Sequence, residues 1–232
     1  MQPFPFKLID LTHTISRDMP TWDGGCGFEH PIDKDYDPKS QYQFRTHKIN
    51  AVAGIGTHLD APAHCIPGGR TIGDYDVNEL LSPCVVVDVR PQVHESYVIS
   101  REDIAAFEAK HGVIQKNSVV LFWTGWDRFW SDAKKYRNNL EFPSVSGEVA
   151  SFLVKERDIA GLGIDTLSPD CPRNGYPVHQ TLLSQNRYII ENVANLEKLP
   201  ATDSFVLALP MKIKEGTEAP IRLVGFITSA QQ

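Results

Sequence analysis

The residues best suited to chemistry lie in Ala53-Gly54-Ile55-Gly56-Thr57-His58-Leu59-Asp60-Ala61-Pro62-Ala63-His64. In an extended strand, residues two apart share a face, so His58 and Asp60 point the same way. An imidazole nitrogen and a carboxylate oxygen converging there suit a borderline divalent cation such as zinc or manganese. Pro62 ends ladder pairing and can swing His64 back toward the same cleft. Gly54 and Gly56 allow a tight backbone path with room for a ligand. The His-x-Asp spacing is common, however, and describes a hydrogen-bonded surface cluster equally well. A second group lies far downstream: His179 and Glu191, preceded by Asp165 and Asp170. If 177–185 is a helix and 188–190 a strand, His179 and Glu191 sit at element boundaries that can face one crevice. Otherwise they are a helix-start imidazole and a solvated carboxylate.

The elements that must position these groups are legible as apolar runs. Lys7–Leu11, Val85–Val89, Val119–Trp123, Ile159–Ile164, Phe205–Leu209 and Leu223–Ile227 are rich in β-branched and aromatic residues, which favours strands over short helices. Helices are predicted between them. Ser100-Arg101-Glu102-Asp103 resembles a capping box and opens a stretch that stops at Gly112; Ser146 caps a second, and Pro177 starts a third that carries His179. Strand–helix–strand alternation predicts an α/β fold with a mixed sheet. The segment 22–40, broken by Gly24-Gly25, Pro31 and Pro38, reads as a long irregular loop that either covers a site or is a solvated excursion.

Composition narrows the function classes. The 232 residues are 41% hydrophobic and 22% charged, which suits one globular domain over 1–232. A net charge of −6 argues against phosphate-neutralising nucleic-acid binding. No apolar run reaches the roughly 18–20 residues of a membrane span, and the N-terminus lacks the basic-then-apolar pattern of a signal peptide. Cysteines 26, 65, 84 and 171 form no Cys-x-x-Cys pair and read as reduced thiols of a cytoplasmic protein.

Gly-Thr-His-Leu-Asp-Ala-Pro-Ala-His, residues 56–64, resembles the signature of the cyclase family of metal-dependent hydrolases, which includes bacterial kynurenine formamidases and isatin hydrolases. The similarity extends through Asp10-Leu11-Thr12-His13, Thr124-Gly125-Trp126-Asp127, the stretch Gly163 to Asp170, Pro177-Val178-His179, Ile190-Glu191-Asn192 and Leu209-Pro210-Met211-Lys212. The resemblance implies an α/β fold of swivelling type. It also implies His58 and Asp60 as metal ligands, His64 as catalytic acid/base, His179 and Glu191 as ligands of a second metal position, and a homodimer or larger homo-oligomer such as a tetramer.

One departure matters. The family pattern begins His-x-Gly-Thr-His, and its leading histidine falls on Gly54 here. His47 lies too far along an extended chain to substitute, at roughly 23 Å. Cys65 and Cys171 are the remaining soft candidates. The expected centre is therefore one zinc or manganese ion held by a subset of His58, Asp60, His179 and Glu191. Its expected reaction is hydrolysis of a carbon–nitrogen amide bond in a small formamide or cyclic amide, with Trp22 and Phe28 covering a flat aromatic substrate. Two other readings stay open: an inactive homologue that binds a small molecule, and a metal-independent lyase or cyclase built on His64 with Asp60 or Cys65. His13 reads as structural, His30, His94 and His111 as solvated, and Trp123, Trp126, Phe129 and Trp130 as packing.

Overall fold

The computed structural model describes residues 5–228. Eight strands form one mixed sheet: β1 (Phe6–Asp10), β2 (His58–Asp60), β3 (Leu81–Asp88), β4 (Val119–Trp123), β5 (Gly161–Ile164), β6 (Tyr188–Glu191), β7 (Ser204–Pro210) and β8 (Glu218–Thr228). Their order is β1-β8-β7-β3-β4-β5-β6-β2. Because β2 also pairs with β8, all but β1 close into a barrel. The run β3-β4-β5-β6 is parallel, and the remaining pairings are antiparallel. The helices are α1 (Arg101–His111), α2 (Ala133–Arg137), α3 (Gly147–Arg157) and α4 (Pro177–Leu183).

The parallel strands are buried on both faces, as crossover helices require. Val119 and Leu121 of β4 join the cluster that fills the barrel, whereas Val120 and Phe122 join the outer cluster with Ile104, Leu153 and Leu182 of the helices. In β5 the alternation is Gly-Leu-Gly-Ile. A Cβ at Gly161 would lie 2.4 Å from the Tyr188 ring, and one at Gly163 2.5 Å from Leu121 Cδ2. The barrel is thus filled across β5 by its neighbours' side chains. The predicted caps form: the Ser100 N–H donates to Asp103 Oδ2 (2.8 Å) at the start of α1, and Val149 N donates to Ser146 Oγ (3.2 Å) at the start of α3.

One element differs from the sequence reading. The segment expected to be an irregular loop belongs to a two-stranded arm, in which Phe28–Glu29 pairs with Asn50–Ala51 and Ile32–Lys34 with Thr46–His47. Each ladder is only two or three residues long, too short to impose a hydrophobic period. Residues 29–52 are all exposed, Tyr42, Phe44 and Ile49 among them. β2 is extended from His58 to Asp60 as expected, and its three residues close the barrel.

Candidate metal centre and cavity

β2 lies between β6 and β8, and its register builds the site. Leu59 points into the barrel core, so His58 and Asp60 point out on the opposite face. Glu191 of β6 stands directly opposite His58, and Glu218 of β8 directly opposite Asp60. Facing residues of an antiparallel pair share a side, so four polar side chains of three strands project together. The fifth, His179, arrives from the first turn of α4.

The nitrogens and oxygens converge. His58 Nε2 lies 3.3 Å from Glu191 Oε2 and 3.5 Å from Asp60 Oδ1. His179 Nε2 lies 3.5 Å from Glu191 Oε1 and 3.6 Å from Asp60 Oδ2. Both imidazoles are turned by a bond at the other ring nitrogen. His58 Nδ1 donates to the Gly56 carbonyl at 2.9 Å, and His179 Nδ1 donates to Asp170 Oδ2 at 2.8 Å. Asp170 also accepts the Val178 and His179 backbone N–H groups at 3.1 and 3.0 Å, so one carboxylate caps α4 and aims its histidine. Fixing Nδ1–H in this way aims each Nε2 at the carboxylates, which is how histidine ligands are oriented.

Burial alone would lower the His58 pKa, but the Asp60 and Glu191 carboxylates outweigh it and raise it to about 9. Burial likewise opposes charge on His179, yet its bonds to Asp170 and Asp60 hold it well above the usual imidazole range. Burial and the neighbouring Asp60 push Glu191 up. Asp60 is lowered, because His58 and His179 overcome the cost of its burial. Asp60 Oδ1 is nevertheless buried with no hydrogen-bond partner. A buried carboxylate oxygen left without a partner between two imidazole rings is a place that a bound cation would satisfy. Two overlapping sets have ligand atoms within 4.8 Å of one another, His58-Asp60-Glu191 and Asp60-His64-His179, and Asp60 is common to both. These donors fit a divalent ion of the zinc or manganese type.

The cluster forms the floor of a cavity of about 570 Å³, within the range of small-molecule sites. His64, last residue of the 3-10 turn Pro62–His64, lines it, with its Nδ1 against Glu218 Oε2. That bond, opposed by partial burial, raises the His64 pKa. Trp22 also lines the cavity, braced edge-on against Phe142 with centroids 6.4 Å apart and held through its carbonyl by Arg137 Nε at 2.7 Å. Phe28 is a correction. It does not line the cavity; its ring stacks on His30 at 5.1 Å, because the arm pairing carries it away.

The remaining candidates separate as the spacing suggests. His47 sits exposed on the arm beside His30. Cys65 borders the cavity, but burial pushes its thiol up, and Cys171 is buried with Sγ 2.9 Å from the Phe142 carbonyl. Among the described residues neither cysteine joins a metal-binding group. Asp165 is occupied elsewhere, accepting from Thr124 Oγ1 (2.6 Å), Gly125 N (2.7 Å) and Trp126 N (3.1 Å). His13 stacks on Trp130 at 3.9 Å, and burial lowers its pKa to about 4. Local sequence marks neither Asp170 nor Glu218 for a role: Asp170 stands out only as a neighbour of the other site residues, and nothing near Glu218 in the chain singles it out.

A closed barrel with this His/Asp/Glu floor defines a recognisable class. The Cyclase family profile, "Putative cyclase", matches residues 9–171, and the chain belongs to that family. It is 30% identical over 190 residues to isatin hydrolase of Roseibium aggregatum, covering 75% of this chain and 72% of that one. It is 25% identical over 221 residues to kynurenine formamidase of Bacillus cereus, covering 93% and 95%. Isatin hydrolase A from Labrenzia aggregata superposes with a TM-score of 0.87 at 29% identity over 97% of this chain and 95% of that one. A structure described as a "Potential Metal-Dependent Hydrolase With Cyclase Activity" gives 0.77 at 29% identity over 95% and 98%. The α/β mixed-sheet expectation is met.

Proposed function

We propose that this protein is a metal-dependent hydrolase of carbon–nitrogen amide bonds in small, flat carbonyl compounds, of the formamide or cyclic amide kind. The observation that carries this reading is the convergence of His58 and His179 Nε2 on Asp60 and Glu191, with one Asp60 oxygen buried and unpartnered. The names of the relatives, isatin hydrolase and kynurenine formamidase, support the substrate class.

His58, Asp60, His179 and Glu191 would hold one zinc or manganese ion. When bound there, such an ion lowers the pKa of water toward neutrality and polarises a carbonyl. His64, at the cavity edge, accepts a proton from the attacking water as the new C–O bond forms. It returns that proton to the nitrogen as the C–N bond breaks; an imidazole suits both directions near neutral pH. Asp170 and the Gly56 carbonyl hold the two floor imidazoles in register. Trp22 offers a flat apolar wall to an aromatic ring. The partners proposed are a small-molecule substrate and further copies of this chain, in line with the apolar side chains exposed along the arm.

The test is purification without added metal, elemental analysis, and assay of isatin, N-formylkynurenine and simple formanilides with zinc or manganese restored. Metal-dependent turnover is expected, with His64→Ala keeping the metal while kcat falls about 10²–10⁴-fold. Turnover that survives exhaustive chelation, or tight binding of these compounds without turnover, would sink the reading.

A further inference from the structure

Two features of the site call for one explanation. Residue 54 is glycine where the family signature carries a histidine, and Glu218 enters the site from β8 with its carboxylate against His64 Nδ1. They are adjacent in space. A Cβ built on Gly54 would lie 3.1 Å from Glu218 Oε1 and 3.4 Å from His58 Nε2. A side chain at 54 would thus start in tight contact with the Glu218 carboxylate, which would have to give way by a few tenths of an ångström to admit it.

We propose that Glu218 is a positioning residue for His64, and that glycine at 54 is what makes room for it. The geometry is complete without any movement. The register Glu218↔Asp60 fixes the carboxylate on the same side as the metal-binding floor. One oxygen, Oε2, takes the His64 Nδ1–H, and the other faces the space beside Gly54. With Nδ1 committed, His64 presents Nε2 to the cavity as the basic nitrogen. When that nitrogen takes up a proton, the carboxylate faces an imidazolium rather than a neutral ring, the logic by which a buried acid supports a catalytic histidine. This chain thus has a carboxylate–imidazole pair beside the glycine that stands at the signature's leading position. The proposal rests on the reading of His64 as acid/base given above, but its structural part does not need turnover to be tested.

The experiment uses zinc-loaded full-length protein with ¹⁵N-labelled histidine, His64 being assigned by its loss in His64→Gln. The expected spectrum shows His64 protonated on Nδ1, with a downfield hydrogen-bonded proton. That proton is lost in Glu218→Ala and in Gly54→His, where the new side chain displaces the carboxylate. With isatin as substrate, Glu218→Ala is expected to lower kcat about 10²-fold with KM within about threefold and zinc content unchanged. Glu218→Gln, which keeps a neutral acceptor, should recover part of kcat. Protonation of His64 on Nε2, or a resonance unchanged in Glu218→Ala or Gly54→His, would overturn the proposal. So would loss of zinc from Glu218→Ala, which would make Glu218 a ligand instead. If the resonance behaves as expected while wild-type protein turns over none of the amides, the pair stands and the hydrolase reading falls.

Discussion

His58 and Glu191 face each other across the β2–β6 ladder, and Nε2 of one meets Oε2 of the other at 3.3 Å. Two residues far apart in the chain are thereby fixed by backbone pairing rather than by a flexible loop. Sites built on strands are held more tightly than sites on loops.

The first consequence is proton-linked metal binding. Without a cation His58 titrates at about 9 and His179 well above the ordinary imidazole value, so both are protonated at pH 7. Each must lose its Nε2 proton to act as a ligand. Zinc uptake at pH 7 should release about two protons, read by titration calorimetry in buffers of different ionisation enthalpy. Affinity should weaken steadily as pH falls. Uptake that releases none would show that these imidazoles are not the ligands.

Trp22 lines the cavity wall while Phe142 and Arg137 hold it from behind. Trp22→Ala is expected to raise KM for isatin about 3- to 10-fold, the scale of one lost aromatic contact, with a smaller change in kcat. Phe28→Ala, outside the cavity, should leave both constants near wild type. Steady-state kinetics of the two variants side by side separates the wall from the arm.

His13 offers a stability test. Its folded pKa of about 4 lies below the ordinary 6.5, since burial disfavours the charged ring. The unfolded chain therefore binds the proton first as pH falls, and the contribution present above 6.5 is lost on the way to 4. Between pH 7 and pH 5 the loss from this group is about 2 kcal/mol. His13→Phe keeps an aromatic ring against Trp130 and removes the titration. As pH is lowered the urea midpoint of wild type should fall relative to that of the variant, and parallel pH profiles would contradict the assignment.

The interior of β5 predicts a packing defect. A methyl at Gly161 would overlap the Tyr188 ring, with 2.4 Å between carbons. Gly161→Ala should cost about 1–3 kcal/mol, as overpacked cores do, visible as a lower Tm with unchanged secondary structure by circular dichroism.

Much of this architecture was written in local pattern. Val119–Trp123 forms the strand its apolar run announces, and Ser100-Arg101-Glu102-Asp103 caps α1 as its residue types demand. The shared face of His58 and Asp60 followed from period-two geometry alone. What the sequence could not show were contacts made by register between distant strands. Glu218 reaches the site only because β8 pairs with β2, and Asp170 matters only because its loop returns to the first turn of α4. Phe28 lies away from the cavity for the opposite reason: a short ladder, invisible to periodicity, turns its ring toward His30.

The three residues of β2 join the two halves of the barrel wall, and the proposed ligands come from β2 itself, from its neighbour β6 and from α4 behind them. An ion gripped there would rivet the seam along which the barrel would otherwise unzip. Chelation should then register first as faster amide exchange at Leu59 and Ile190, before any change at the far strands β3 and β4.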